Sequence, residues 1–158
     1  MKLRMTALLM AGVMMLNVMP VAAEETETIV CVGDSLTFGV ISGTPGERDV
    51  TYPDTLQSLL GDGYEVMNLG KPGHTLTEAG ACYLKRPEYE LSIEEAADMY
   101  IIMLGTNDSN LGDKWDATAF EEDLNKVVDD YREANPDTII VLVAPPIVVQ
   151  DKMAGRRM

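Results

Sequence analysis

Residues 28–37, T-I-V-C-V-G-D-S-L-T, decide the fold of this chain. The first five are apolar or β-branched and end at Gly33, which predicts a buried strand followed by a tight turn. A short strand that is apolar on both faces is typical of a parallel sheet covered by helices on both sides. Ligands bind at the carboxyl ends of the strands in such a sheet, so Ser35 lies where chemistry is expected.

The rest of the sequence alternates strands with helices. Three further apolar segments predict strands, at 64–69, 98–104 and 138–143. Apolar residues at helical spacing predict helices over 52–60 and 118–134. A helix is also expected over 75–84, and another could close over 94–97. This alternation predicts right-handed βαβ units in a single three-layer α/β domain.

The first 23 residues have the features of a secretory signal peptide. Lys2 and Arg4 precede an apolar run over 6–21, and small residues at its end predict cleavage after Ala23. An uncleaved membrane anchor is the alternative, because the run approaches the ~18 residues that make a span credible. We expect residues 24–158 to be secreted or held in the cell envelope, without stable membrane insertion.

Charge and cysteine content exclude several classes of function. The net charge is −14, and residues 1–23 carry only two positive charges, so the predicted domain is more acidic still. That charge repels nucleic acid and anionic membranes, which favours a small or neutral polymeric ligand and no nucleic-acid partner. No Cys or His spacing resembles a metal site. Cys31 and Cys82 lie in different segments and are predicted to be buried free thiols.

Three unusual loops are expected at the carboxyl edge of the sheet: G-D-S-L-T at 33–37, N-L-G-K-P-G-H-T at 68–75 and G-T-N-D at 105–108. Ser35 offers a hydroxyl on a tight turn. Gly73 offers a backbone N–H that no Cβ shields, and Asn107 offers a side-chain amide donor. A nucleophilic hydroxyl with convergent N–H donors is the minimum that acyl transfer requires.

Taken together, the three loops resemble the first three conserved blocks of the SGNH, or GDSL, hydrolase family. The resemblance implies a flavodoxin-like parallel sheet and hydrolysis of esters of lipids, acetylated sugars or small alcohols, with no metal and no cofactor. It implies that Ser35 is the nucleophile that forms an acyl-enzyme. The oxyanion hole would consist of the Ser35 N–H, Gly73 and Asn107. Asp34 and Asp108 are expected to brace their loops.

One block of the family is absent from the 158 residues. The family carries D-x-x-H towards its C-terminus, which supplies the base, whereas the only His here is His74. It follows Gly73 directly, so we expect it to line the crevice instead. A serine hydroxyl without a base is a poor nucleophile, so this form is expected to be weakly active or inactive. The last βα unit would be missing, and the fourth strand would be an exposed apolar edge.

Two other functions remain open. The same N–H cradle would suit a non-catalytic secreted domain that binds a carbohydrate or a carboxylate, and an acidic secreted domain without a site is the third possibility. Tyr52 and Trp115 are candidates for lining an acyl or sugar pocket, although a helix start and ordinary packing are the preferred interpretations. The expected partner of the enzyme is a small-molecule or glycan ester.

Overall fold

The computed structural model describes residues 26–40, 48–146, 150–151 and 156–157. The elements in chain order are β1 (Glu27–Gly33), α1 (Ser35–Phe38), α2 (Tyr52–Leu60), β2 (Tyr64–Gly70), α3 (Pro87–Glu94), β3 (Met99–Met103), α4 (Ala117–Ala134), β4 (Ile139–Leu142), β5 (Gln150–Asp151) and β6 (Arg156–Arg157). The predicted signal peptide, with its cleavage site after Ala23, lies outside the described residues. Within them, no helix has the length and apolar character needed to cross a membrane.

The main sheet has the strand order β2-β1-β3-β4, and every pair in it is parallel. The strand that contains residues 28–32 is therefore in the middle, as its two apolar faces predicted. Its last residue, Gly33, pairs with Gly70 of β2 and with Met103 of β3. All three loops after these strands consequently begin at one edge of the sheet. The short strands β5 and β6 form a separate antiparallel pair.

Helices cover both faces of the sheet, which confirms the predicted α/β architecture. Val30 and Val32 point into the main core, on the side of α3 and α4. Successive side chains of a strand face opposite ways, so Cys31 points to the other side, where it meets Tyr52 of α2. The first strand is buried on both faces for this reason.

Aromatic residues fill the core between the sheet and α4. The rings of Tyr100 and Tyr131 are parallel and stacked, with 3.8 Å between their centroids. The hydroxyls of both residues form hydrogen bonds with Ser92. The Tyr100 hydroxyl donates to the Ser92 carbonyl at 2.8 Å, and the Tyr131 hydroxyl lies 2.8 Å from the Ser92 hydroxyl. Buried tyrosines need such partners, since an unpaired hydroxyl is costly in a core.

The predicted helices over 52–60 and 118–134 both form, and each begins at a capping residue. The hydroxyl of Thr51 accepts from the Asp54 N–H, and the Asp54 carboxylate accepts from the Thr51 N–H, which makes a capping box at the start of α2. The carboxylate of Asp116 accepts from two N–H groups at the start of α4. That helix stops at Asn135, because the following Pro136 disfavours helical backbone before it.

The prediction of a helix over 75–84 is wrong. This segment is an irregular loop in which Thr75 and Cys82 form an isolated bridge, and a 3₁₀ turn follows at Tyr83–Lys85. The Thr75 carbonyl accepts from the Tyr83 N–H at 2.7 Å, and not from the N–H four positions further on as it would in a helix. The next helix, α3, ends at Glu94, so only the first residue of the segment 94–97 is helical.

The strand β4 lies at an edge of the sheet and is poorly covered. Ile139 is 56 % exposed and Leu142 is 54 % exposed. These two residues belong to opposite faces of the strand, because side chains alternate. A partly open apolar groove of about 290 Å³ lies along the Leu142 face, between β4 and α4. The predicted exposed apolar edge is confirmed for the described part of the sheet.

Candidate active site at the carboxyl edge of the sheet

Ser35 lies at the first position of α1, a single helical turn that begins directly after the central strand. The Asp34 carboxylate caps this turn by accepting from the Leu36 N–H at 2.9 Å. The Phe38 N–H bonds to the Asp34 carbonyl at 3.0 Å, and the Gly39 N–H bonds to the Ser35 carbonyl at 2.9 Å. The sequence therefore builds a rigid turn that holds the Ser35 side chain, half-buried, at the rim.

Two glycines allow this turn to pack closely on the sheet. A Cβ at Gly33 would lie 2.0 Å from the hydroxyl oxygen of Thr37, and a Cβ at Gly70 would lie 2.3 Å from the backbone nitrogen of Phe38. Neither contact is possible for a real side chain, so both positions require glycine. The glycine of the G-D-S-L-T motif thus allows α1 to pack closely against β1.

The second loop carries Gly73 across the edge of the sheet. Its start is fixed to the central strand, because the Lys71 N–H bonds to the Gly33 carbonyl at 2.9 Å. Gly73 has a φ of +75° and is exposed. A backbone in this left-handed region favours glycine, so the residue that the sequence singled out is also the one that the turn requires.

Asn68 is a residue of this site whose role the sequence analysis missed. Its amide donates to the Thr37 carbonyl at 2.7 Å, and its oxygen accepts from the Gly70 N–H at 3.0 Å. It therefore fastens the end of β2 to the turn that carries Ser35. The signal was present in the N-x-G spacing of the loop, since Asn often bonds to backbone two residues away.

Asn107 connects all three loops. Its side-chain nitrogen donates to the His74 carbonyl at 2.8 Å and to the Asp34 carboxylate at 3.3 Å. Both partners are acceptors, so the NH₂ group of the amide must face them. The bonds reach the neighbours of Gly73 and Ser35, not those two residues themselves. The structure thus brings the three sequence-predicted loops together through the amide of Asn107.

Asp108 also reaches across to the second loop. Its Oδ2 accepts from the Leu76 N–H at 2.9 Å, and its Oδ1 accepts from the N–H and the hydroxyl of Thr77 at 3.0 and 2.9 Å. The expectation that Asp108 braces its own loop is therefore too narrow. It holds the loop of Gly73.

Asp34 and Asp108 place two buried carboxylates beneath the rim. Burial raises the pKa of Asp34, whereas the hydrogen bond from the Leu36 N–H acts in the opposite direction. The hydrogen-bond partners of these two carboxylates are backbone N–H groups, the amide of Asn107 and the hydroxyl of Thr77.

Lys71 is the cation of the second loop, and it pairs with Glu88 in the first turn of α3. Partial burial tends to raise the pKa of Glu88, but the hydrogen bond from Lys71 keeps it below its usual value. The pair is about one-third exposed, so its contribution to stability is modest. Its main effect is to tie the loop to a helix.

His74 contributes its carbonyl to the site. Its ring nitrogen Nδ1 lies 2.8 Å from the Pro72 carbonyl, so this nitrogen faces the loop's own backbone.

The part of the chain that the structure describes contains no group of three His, Cys, Asp or Glu side chains suited to a metal ion.

Of the two aromatic candidates, Tyr52 contacts the first loop and Trp115 packs on α4. The Tyr52 hydroxyl is 3.4 Å from the Thr37 hydroxyl, beneath the turn of Ser35. Trp115 packs on Phe120 with 5.3 Å between ring centroids. Both arrangements match the preferred interpretations, a helix start and a packing aromatic.

Comparison with known proteins places the chain in a family of hydrolases. The profile of the GDSL-like Lipase/Acylhydrolase family matches residues 31–158. The acetylxylan esterase of Xylanibacter ruminicola is 31 % identical over 114 residues, which are 72 % of this chain and 23 % of that protein. The chain therefore spans about a quarter of the length of this relative.

Solved structures show the same fold. The aryl esterase of M. smegmatis superposes with a TM-score of 0.63 at 26 % identity, over 77 % of this chain and 65 % of that one. A carbohydrate acetylesterase family member from Sinorhizobium meliloti superposes with a TM-score of 0.61 at 25 % identity, over 81 % of this chain and 67 % of that one. With its profile match covering most of the sequence, this chain belongs to the GDSL-like lipase/acylhydrolase family.

Proposed function

We propose that this domain is a serine ester hydrolase that removes acetyl or other short acyl groups from carbohydrate esters. The single observation that carries the proposal is the position of the Asn107 amide, bonded at once to Asp34 beside Ser35 and to His74 beside Gly73. One amide at the junction of all three loops can reach a substrate that also meets the turn of Ser35. Amide donors aimed at one point are what an oxyanion needs.

In the proposed reaction the Ser35 Oγ attacks the acyl carbon, and its proton passes to a base. The carbonyl oxygen becomes an oxyanion that the N–H groups of Ser35 and Gly73 and the amide of Asn107 stabilise. Collapse of this intermediate breaks the bond to the alcohol and leaves the acyl group on Ser35. Water then releases the acid in a second step of the same kind.

The amide of Asn107 has only two N–H groups, and both already have acceptors. The bond to His74 is the shorter, at 2.8 Å, and the bond to Asp34 is the longer, at 3.3 Å. We expect the oxyanion to replace the longer bond, since a longer hydrogen bond is the weaker one.

The base is the part of the machinery that the described residues do not provide. The one His of the chain directs Nδ1 at the Pro72 carbonyl. We therefore expect the 158-residue chain to hydrolyse p-nitrophenyl acetate only as fast as a serine hydrolase that lacks a triad member. The rate would then be roughly 10³- to 10⁴-fold above that of the uncatalysed reaction in water. Full turnover by this chain, abolished in Ser35→Ala, would mean that another group acts as the base.

Support for an acetylated carbohydrate as substrate comes from the relatives. Two of the similar proteins are named as an acetylxylan esterase and as a carbohydrate acetylesterase family member. The net charge of −14 is compatible with neutral glycan esters and disfavours phosphate-rich substrates.

The decisive experiment supplies the missing base from solution. The chain is incubated with a fluorophosphonate and free imidazole, and the site of phosphonylation is identified by peptide mass mapping. The Ser35 oxygen forms the bond to phosphorus, fluoride leaves, and imidazole takes the proton. We expect labelling at Ser35 that depends on imidazole and disappears in Ser35→Ala. The matched control is Ser58→Ala, because Ser58 is an exposed serine on α2.

Two results would contradict the proposal. Labelling that persists in Ser35→Ala would show that another nucleophile reacts. Absence of labelling at saturating imidazole would instead favour the non-catalytic binder, which acetylated oligosaccharides would then test by titration.

A further inference from the structure

The G-T-N-D turn and the loop of Gly73 are joined along several consecutive residues. Asn107 binds the carbonyl of His74, and Asp108 binds the N–H groups of Leu76 and Thr77. Two successive side chains thus hold almost the whole stretch of backbone that follows Gly73. These hydrogen bonds fix the distance between the G-T-N-D turn and the loop of Gly73.

The carboxylate of Asp108 is completely buried, and both of its oxygens bond to this one stretch of chain. Among the described residues it takes part in no ion pair. Its negative charge is therefore balanced by three hydrogen bonds from Leu76 and Thr77. A shift of the loop would break these bonds and leave a buried carboxylate without partners, which is unfavourable.

The turn that carries Asn107 is itself rigid. The Ser109 N–H bonds to the Gly105 carbonyl at 3.0 Å, and the Leu111 N–H bonds to the Asp108 carbonyl at 3.0 Å. By contrast Gly73 is exposed, and a Cβ built on it would meet no atom within 4 Å. The position of its N–H therefore depends on what holds the residues on either side of it.

We infer that Asp108 is a positioning residue, which fixes the N–H of Gly73 relative to the amide of Asn107 by holding Leu76 and Thr77. The inference rests on the proposed function for its catalytic consequence. Asp108 does not touch the substrate. Its effect is to keep two separate donors aimed at one oxyanion, and a misplacement of about 1 Å in such a site can cost 10²-fold in rate.

The test compares Asp108→Asn with a destabilised variant outside the site, and the free energy of unfolding of both is measured. Asn has the shape of Asp, but its NH₂ group must face one of the N–H donors of Leu76 and Thr77, so at least one bond is lost. Val127→Ala is the control, because Val127 is buried on α4 and lies outside the three loops. Thr77→Val removes only the hydroxyl bond and provides a milder second variant if Asp108→Asn does not fold.

Two readouts are taken on the full 158-residue chain. The first is the rate constant of fluorophosphonate labelling at saturating probe with imidazole present. We expect it to fall at least tenfold in Asp108→Asn and less in Thr77→Val, with the half-saturating probe concentration unchanged. The second is amide NMR, in which we expect the Gly73 resonance to move and the Leu76 and Thr77 amides to exchange faster. Val127→Ala should change neither readout.

Equal loss of labelling in Asp108→Asn and Val127→Ala would overturn the inference, because Asp108 would then act only through the overall stability of the fold. An unchanged Gly73 resonance in Asp108→Asn would overturn it as well. The NMR readout does not depend on catalysis, so it separates a failure of this inference from a failure of the proposed function, which shows as unlabelled wild-type protein.

Discussion

The side-chain amide of Asn107 donates to the main-chain oxygen of His74 at 2.8 Å, which joins the loop after β3 to the loop after β2. These residues are 33 positions apart in the sequence. The parallel sheet brings them together, because β1 lies between β2 and β3 and the three strands end at the same edge.

Asn107→Ala is expected to slow phosphonylation of Ser35 by about 10²- to 10³-fold, the usual cost of one oxyanion donor. The loss follows because alanine removes the amide that faces both Asp34 and His74. The rate is measured by intact mass with imidazole present. Asn125→Ala, on the exposed face of α4, is the matched control. An unchanged rate in Asn107→Ala would remove this residue from the oxyanion hole.

Asp34 and Asp54 should affect stability with opposite dependence on pH. Burial raises the pKa of Asp34, so its contribution is fully present below the unfolded pKa of about 3.9 and is lost as the pH rises through the folded pKa. Hydrogen bonds from the hydroxyl and N–H of Thr51 lower the pKa of Asp54. Its contribution is present above about pH 3.9 and is lost as the pH falls through its folded pKa.

The measurement is urea unfolding from pH 7 down to pH 3, followed by the fluorescence of the single Trp. The stability of wild type relative to Asp34→Asn should increase as the pH falls. Relative to Asp54→Asn it should decrease below about pH 4. If both differences move in the same direction, the burial of Asp34 does not govern its titration.

The two thiols should be inert in the folded protein. Burial raises the pKa of Cys31 to about 11, despite an opposing hydrogen bond with Tyr52, and burial also raises the pKa of Cys82. Both are free and buried, as predicted from the sequence. A disulfide reagent at pH 8 should therefore react with neither until guanidinium is added, and then with both. Fast reaction of the native protein would show that the core opens near one of them.

The edge strand β4 is expected to cause self-association of the 158-residue chain. It exposes apolar side chains at an edge of the described sheet, and such an edge is a template for strands of another molecule. Ile139→Lys and Leu142→Lys should each reduce the concentration-dependent rise in sedimentation coefficient. Val50→Lys, at an apolar residue that is 79 % exposed and outside the sheet, should not. A wild-type chain that stays monomeric at high concentration would contradict the prediction.

Local patterns in the sequence predicted the strands and the capped helices well. Residues 28–33 contain five apolar or β-branched residues and a glycine, and they form the central strand. The helix over 52–60 has the same bounds in sequence and structure, because a capping box at Thr51 and Asp54 defines its start. Such signals lie within a few residues of one another, so they can be recognised without knowing the fold.

The segment 75–84 shows the limit of prediction from local sequence patterns. The sequence predicts a helix there, but the segment forms an irregular loop, which the distant carboxylate of Asp108 holds through the N–H groups of Leu76 and Thr77. The partner is more than 30 positions away, so no local pattern contains it. The contact of Asn68 with Thr37 joins β2 to α1, so it too lies outside any local pattern.

By itself the sequence determined which side chains were available: a hydroxyl on a turn at Ser35, a glycine that tolerates positive φ at position 73, and an amide at Asn107. Only the tertiary structure decided where each of them points. The parallel strand order brings the loops to one edge, and the hydrogen bonds of Asn107 and Asp108 then hold the second loop against the third. The physical reason is that residue type follows from the chain alone, whereas the direction of a donor depends on acceptors from distant segments.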